Sequence, residues 1–371
     1  MSAKAGKIPF VNLDRQYDAL RGEMANAIEQ VLDAKAFILG PYVEKFEREF
    51  ATFQDTRHAI GCSSGTSAIS LVLEALGIGG GDEIVTVGHT FAASAGAIRH
   101  VGAVPVFIDI EPAAYTMDVD CIESAITSRT KAIMPVHIYG TPCDMLAIGE
   151  IAKGRGIAVI EDAAQAHGAA IGGRKIGAFG TAATFSFYPG KNLGAYGDAG
   201  AIVTNDDALA DRIRKLRNHG RMSKYLHDIV GYNHRIDGIQ GAVLSVKLKY
   251  LAAWNERRRA VAARYDAAFR PLGFKTIVPL PGIECVYHLY VVEVSNRDVV
   301  QHALADRGVA TGVHYPVPLN KQPAFASWAA GTVLPVTERI VPRIVSLPIC
   351  AEITDEEQDR VIAAFLDIAA P

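Results

Sequence analysis

Two residues of this chain are of types that together do carbonyl chemistry: Lys191, at the centre of SFYPGKNLGAYGDAG, and Asp162, at the end of the apolar run IAVIED. A lysine amine forms a Schiff base with an aldehyde once it has lost its proton, which burial and neighbouring cations favour. A carboxylate at the end of a buried strand can keep the ring nitrogen of pyridoxal phosphate protonated, so that the ring accepts electrons from a carbanion. Read singly, Lys191 could be an exposed loop lysine and Asp162 a helix cap; the surrounding segments tie them together. The turn GCSSGTSAISL joins a predicted strand to a helix beginning near Thr66, and the amides and dipole of a helix start receive phosphate, with Gly65 allowing close approach. A plain N-cap would read the same way. Ser186, just ahead of the lysine, is a second candidate phosphate donor. Phe91, after the run EIVTV, could stack on a pyridine ring or pack in the core, and Gln165, three residues past Asp162, could reach a ring hydroxyl or simply begin a helix.

These residues need a scaffold that brings them to one place. From about residue 58 to 205 short apolar runs alternate with helical stretches (HAIGCSS, SAISLVLEALG, DEIVTV, AASAGAIRHVG, AVPVFID, KAIMPVH, MLAIGEIAKG, IAVIED). That alternation predicts an α/β fold with a mainly parallel central sheet covered by helices, and such sheets bind ligands at the carboxyl ends of their strands. Upstream, PYVEKFEREFATF sets Phe46, Phe50 and Phe53 on one helical face, a core-packing pattern without chemistry. A long helix is expected from about Ile236 to Phe269, bridging two lobes, and a final amphipathic helix after Thr354. VYHLYVVEV alternates like a half-buried strand, and turn-rich segments such as VHYPVPLNKQPAF follow it. The expected organisation is a large α/β domain over residues 1–250, including an N-terminal helical segment, and a smaller α+β domain over 251–371. GGGD at 79–82 reads as a turn, not a phosphate loop.

Composition narrows the function classes. The 371 residues are half apolar, enough for a large core, and 37 basic against 40 acidic side chains are interspersed, which disfavours nucleic acid and anionic membranes as partners. The opening MSAKAGKIPF has no apolar signal core, and no apolar run approaches the ~20 residues that span a bilayer, so a cytoplasmic location is expected. Five scattered cysteines without CxxC spacing read as reduced core thiols, and the histidines lack zinc spacing, so no metal is expected. The run Arg257–Arg259 reads as a solvated helix face. Arg221 and Arg235 could pair with a nucleotide diphosphate or sit as ordinary surface arginines.

Taken in order, IPFVNLDRQY, FILGPYVEKFEREFA, SSGTSAISL, GHTFAASAGAI, VHIYGTPCDM, IEDAAQAHGA, SFYPGKNLGAYGDAGAI, NHGR, GYNHRIDGIQGAVLSVKL and HYPVPLNKQPAF cover nearly the whole chain. Together they resemble the DegT/DnrJ/EryC1/StrS sugar aminotransferases, of fold type I among pyridoxal phosphate enzymes. The resemblance implies that Lys191 is the Schiff-base lysine and the general acid/base, Asp162 the pyridinium partner and Gln165 a contact to the ring oxygen. It further implies Phe91 as the stacking residue, and Gly65, Thr66 and Ser186 as the phosphate cup. Asn233 of GYN matches a residue that reaches the phosphate from a neighbouring subunit, which implies a homodimer with shared active sites. His314 and Tyr315 lie in a loop that the family places near the active site. Members with histidine at the lysine position dehydrate instead, and Lys191 argues against that branch. His234 and Asn320 depart from the usual pattern, Asn320 standing where a second histidine is frequent, and both bear on substrate recognition.

The implied reaction moves an amino group from an amino acid, glutamate first, to a nucleotide-linked ketosugar in aminosugar biosynthesis, with ping-pong kinetics. RIDGIQGAVLSVKL resembles the version common in enzymes that aminate a 3-keto-deoxyhexose, with Asp237 the distinguishing position, although Asp237 could merely cap the long helix. The alternatives are a 4-ketosugar, a keto-cyclitol, or a non-catalytic regulatory protein on the same fold.

Overall fold

The computed structural model describes residues 6–369; the first five residues of MSAKAGKIPF and the last two of the chain lie outside the described residues. Helices α1 (Leu13–Ala34) and α2 (Pro41–Phe53) lead into the alternating part of the chain. There β1 (His58–Cys62), α3 (Gly65–Ala75), β2 (Glu83–Val87), α4 (Ala92–His100), β3 (Val104–Ile108), α5 (Ile122–Ala125), β4 (Thr130–Ile133), α6 (Met145–Ala152) and β5 (Ala158–Asp162) succeed one another. Two short strands, β6 (Ala170–Ile171) and β7 (Arg174–Lys175), precede β8 (Ala182–Ser186), β9 (Gly200–Thr204) and α7 (Asp207–Leu216). The long α8 (Gly238–Phe269) is followed by β10 (Ile283–Glu284), β11 (Tyr290–Glu293), α9 (Arg297–Asp306), α10 (Pro335–Ile340), β12 (Ile344–Leu347) and α11 (Asp355–Leu366).

Seven strands form one sheet in the order β1-β9-β8-β5-β4-β2-β3. The pairs β2–β3, β2–β4, β4–β5 and β5–β8 are parallel, whereas β9 runs antiparallel to both its neighbours. The parallel strands read as continuous apolar runs because helices cover both faces; all five residues of β2 are buried. Since β9 is antiparallel to β8, the connection between them needs no crossover helix. The loop carrying Lys191 is that connection, and the pairing of Ser186 with Gly200 closes its base. It therefore lies at the carboxyl end of the parallel strands, the end at which β5 delivers Asp162.

Packing follows from the sequence pattern. Phe46 and Phe50 of α2 are fully buried, and their rings meet Phe185 and Phe187 edge-on at centroid distances of 5.1–5.4 Å. Each such ring contributes roughly 1.5–3 kcal/mol through burial, so this cluster fixes α2 against the strand that enters the Lys191 loop.

α8 joins two apolar cores. Leu244, Leu248 and Leu251 belong to the core under the central sheet, while Val261, Ala262, Tyr265 and Phe269 pack with β11, β12, α9 and α11. A domain boundary at residue 250 thus falls inside a continuous helix. Ile8, which the sequence reading groups with the N-terminal part, packs in the second core and bridges to Val309. Thr354 caps α11 in a reciprocal box with Glu357, ending the chain in the amphipathic helix expected there. The five cysteines are unpaired. Among the described residues no helix is long and apolar enough to cross a membrane, and no cluster of three or more His, Cys, Asp or Glu could hold a metal ion.

Candidate active site

A cavity of about 610 Å³ opens at the carboxyl ends of β1, β2, β5 and β8. Gly65, Thr66, Phe91, Asp162, Gln165, Ser186, Lys191, His314 and Tyr315 all line it, although the sequence scatters them over 250 residues.

At one end, α3 begins at Ser64, whose side chain caps the amide of Ser67 in a reciprocal box. The helix start abuts Ser186: a Cβ on Gly65 would lie 2.8 Å from the Ser186 Cβ, closer than real side chains approach. Only glycine lets two independent donor sets, the helix amides and the serine hydroxyl, converge there. The arrangement suits a phosphate group.

Asp162 Oδ2 accepts a 2.7 Å hydrogen bond from Ser94 Oγ, and Oδ1 accepts from the Ala164 amide at 3.2 Å. Because the Ser94 proton is committed to the carboxylate, the 2.8 Å contact between Thr90 Oγ1 and Ser94 Oγ has Thr90 as donor. The carboxylate is thus oriented by a relay of two hydroxyls and remains an acceptor, the state in which it can receive a ring N–H. Burial pushes the Lys191 ammonium down to about 8 from an ordinary 10.5, with the Asp162 carboxylate pulling the other way. A lysine so placed is about one tenth neutral at pH 7, several hundred times the fraction of an ordinary lysine, and the neutral amine is the form that makes a Schiff base. The next residue, Asn192, is buried; its Nδ2 donates to Asn255 Oδ1 and to the Val286 carbonyl, both at 2.9 Å, so the turn is anchored on α8.

Gln165 is clamped rather than free. Its Oε1 accepts from the Tyr139 amide at 2.6 Å and its Nε2 donates to Tyr315 Oη at 3.1 Å, leaving one amide N–H for a ligand. Burial, then Asp162, raises the Tyr315 phenol above its usual range, so it stays protonated. His314 Nδ1 is 2.8 Å from Ser346 Oγ, and burial, then Lys191, lowers the imidazole to about 4. Phe91 is 56 % exposed at the cavity wall, with its ring 5.6 Å from that of Tyr315. An open aromatic face beside a carboxylate, a lysine and a phosphate cradle fits the ring, aldehyde and phosphate of pyridoxal phosphate.

Five of the sequence candidates lie elsewhere in the single chain. Asn320 does not line the cavity: it is buried, with Nδ2 donating to the Thr332 carbonyl and Glu338 Oε1, and so ties its own loop together. Arg221 and Asn233 are exposed, in a segment pinned by bridges Arg221–His227 and Asn218–Asn233. Arg235 donates to Asn218 within that same segment. Asp237 stands at the N-cap of α8 but makes no side-chain capping bond, so capping does not account for it.

Conversely, Phe10, Val11, Thr90, Ser94 and His288 line the cavity without having been singled out from the sequence. For Ser94 there was a usable signal, a hydroxyl residue three positions past Phe91 in the first turn of α4. Thr90 carried the same kind of signal, standing just before Phe91; for Phe10, Val11 and His288 there was none, because their placement depends on contacts across the whole chain.

A model of the DegT/DnrJ/EryC1/StrS aminotransferase family matches residues 18–366. A "pleiotropic regulatory protein" of Geobacillus stearothermophilus is 45 % identical over 360 residues, 96 % of each chain. A dTDP-3-amino-3,4,6-trideoxy-alpha-D-glucose transaminase of Streptomyces venezuelae is 45 % identical over 99 % of this chain and 97 % of its own. Among solved structures, S. venezuelae DesV in complex with a ketimine intermediate superposes with a TM-score of 0.95 at 44 % identity, covering 98 % of both chains. A Bacillus subtilis protein, NtdA, with bound cofactor PMP superposes with a TM-score of 0.92 at 34 % identity over 99 % of this chain and 86 % of the other.

Proposed function

Since this chain belongs to the DegT/DnrJ/EryC1/StrS aminotransferase family, we propose that it transfers an amino group from L-glutamate to carbon 3 of a nucleotide-linked 3-keto-deoxyhexose, as a homodimer with shared active sites. The enzyme is a pyridoxal phosphate-dependent transaminase. The observation that carries the catalytic reading is the joint placement of Lys191 and Asp162 in one cavity with the Gly65–Ser186 cradle.

When bound, pyridoxal phosphate supplies an aldehyde for the incoming amine and a ring that withdraws electrons from the neighbouring carbon. The residues' own work is then specific. Amides at the start of α3 and the Ser186 hydroxyl would hold the phosphate, Asp162 would hydrogen-bond the ring nitrogen, Gln165 would offer its remaining N–H to the ring oxygen, and Phe91 would lie against the ring. As general acid/base, Lys191 Nζ would carry a proton from the α carbon of the amino donor to the cofactor in one half-reaction and from the cofactor to the sugar carbon in the other. His314 and Tyr315, both uncharged, present hydrogen-bonding groups to the sugar.

The choice of carbon 3 is supported by the motif around Asp237 and by the 3-amino product in the name of the Streptomyces relative. The shared site is supported by the exposure of Asn233 outside its own chain's cavity, which leaves it available to a second copy. A purely regulatory role is disfavoured because Lys191, Asp162 and the cradle are all in place. The test is a panel of 3-keto and 4-keto sugar nucleotides and keto-cyclitols offered with glutamate and analysed by mass spectrometry. Amination of the 3-keto compound is expected; preference for the 4-keto compound overturns the regiochemistry, and inertness towards every sugar nucleotide overturns the acceptor class.

A further inference from the structure

The N-terminal arm builds one wall of the cavity while being anchored on the opposite end of the chain. The Ile8 amide donates to the Gly308 carbonyl at 2.8 Å, and the Ile8 carbonyl accepts from the Ala310 amide at 3.0 Å. With its side chain buried in the core of β11, β12 and α8, Ile8 fixes where the next residues run. Phe10 and Val11 then enter the cavity lining.

The Phe10 ring lies over the His314 imidazole, with centroids 5.6 Å apart and planes 18° from parallel. His314 meets Tyr315 edge-on at 5.6 Å, and Tyr315 meets Phe91 at 5.6 Å. Four rings from three separate segments thus form a continuous aromatic wall reaching from the arm to the residue beside the cofactor site. The seat beneath is tight: a Cβ on Gly312 would lie 2.6 Å from His314 Cε1 and 3.4 Å from Phe10 Cζ. With Nδ1 engaged by Ser346, His314 has Nε2 left for a ligand in the cavity.

We infer that Phe10 is a specificity-determining residue for the acceptor: it offers the sugar an apolar face and holds the His314 ring where its remaining nitrogen can meet a sugar oxygen. The amino donor is smaller than a nucleotide-linked sugar and reacts at the Lys191–Asp162 end, so a wall built on Phe10 bears on the larger acceptor. Lowered basicity of His314 accords with this, because a neutral imidazole hydrogen-bonds a hydroxyl or carbonyl without demanding a counter-charge.

This inference rests on the ketosugar reading above, and the experiment separates the two. Phe10→Ala, Phe10→Leu and Phe10→Tyr are compared with wild type in single-turnover reactions with glutamate and, separately, with a dTDP-linked 3-keto-6-deoxyhexose. Calorimetry measures binding of the corresponding aminosugar nucleotide. Phe10→Ala and Phe10→Leu are expected to raise the acceptor KM and weaken product binding about tenfold or more, the scale of a lost apolar contact in a specificity pocket. Phe10→Tyr, which keeps the stacked ring, is expected within about twofold of wild type, and the glutamate half-reaction within about twofold throughout. An unchanged acceptor KM in Phe10→Ala, full activity in Phe10→Leu, or equal losses in both half-reactions overturns the inference. Inertness of the wild-type enzyme towards this and every other sugar nucleotide overturns the acceptor reading itself.

Discussion

Gly65 and Ser186 stand so close that a Cβ atom on Gly65 would lie 2.8 Å from the serine Cβ and 3.2 Å from its Cα. One neighbour is backbone, so no side-chain rotation relieves the contact. Gly65→Ala should therefore part α3 from the end of β8, and with them the two donor sets of the phosphate cradle. Overpacking of this kind costs about 1–3 kcal/mol, so cofactor affinity should fall by about five- to 150-fold while the apoenzyme still folds. Spectroscopic titration of cofactor into the apoenzyme, alongside its melting temperature, checks this; wild-type affinity would mean that the cradle does not hold the phosphate.

Lys191 should show a pH signature before any cofactor is added. Its ammonium falls from 10.5 in the unfolded chain to about 8 in the folded one. Between those values the unfolded state binds more protons, so stability rises with pH there. The burden on the fold is complete below about 8 and gone above 10.5. Lys191→Met should thus stabilise the apoenzyme at pH 7 by at most about 3 kcal/mol, with the gain vanishing as the pH passes 10.5. Denaturant titrations at several pH values measure it. The same substitution should abolish turnover and leave no borohydride-reducible link to the cofactor, read by mass spectrometry.

Ser94 orients Asp162 through its 2.7 Å hydrogen bond. Asp162→Ala should remove nearly all activity and shift the visible spectrum of the bound cofactor. Ser94→Ala should cost less, on the order of tenfold in kcat, because a charge-assisted bond contributes roughly twice a neutral one and Ala164 still holds the other oxygen. Equal losses in the two variants would mean that Ser94 does more than orient.

The shared site proposed above can be tested by complementation. Lys191→Ala is inactive in its own cavity but carries an intact Asn233; an Asn233→Ala chain has the reverse defect. If Asn233→Ala alone is severely impaired, each mixed dimer, with one intact site of two, should regain up to about half of the activity of a wild-type dimer. No recovery despite exchange of subunits, followed by native mass spectrometry, would show that each chain works alone.

Much of the scaffold was legible in the sequence because it is local. The β–α alternation predicts the parallel strands, Phe46 and Phe50 mark the buried face of α2, and the uninterrupted run after Asp237 predicts α8 to within two residues of its start. The reversal of β9 was not legible, since an apolar strand carries no mark of direction. In the site, residues flanking strand ends could be found from adjacent motifs, and Lys191, Asp162, Gln165, Ser186, Gly65 and Thr66 do line one cavity. Phe10 could not, because it reaches the cavity only through pairing with Gly308 and Ala310, some 300 positions away. Asn320 misled for the opposite reason: a motif position close to His314 and Tyr315 suggested contact with the sugar, but it does not line the cavity and its amide nitrogen donates to Thr332 and Glu338.

The course of α8 also bears on how the chain unfolds. One 32-residue helix supplies Leu244 and Leu251 to the first core and Tyr265 and Phe269 to the second, while Ile8 fastens the other end of the chain to that second core. Melting either core strips apolar contacts from a helix that the other still needs, so neither is expected to survive as an autonomous foldon. Denaturation should accordingly be one cooperative transition, and cleavage near residue 250 should release no stable fragment. An organisation that reads along the chain as two domains would behave, in folding, as one.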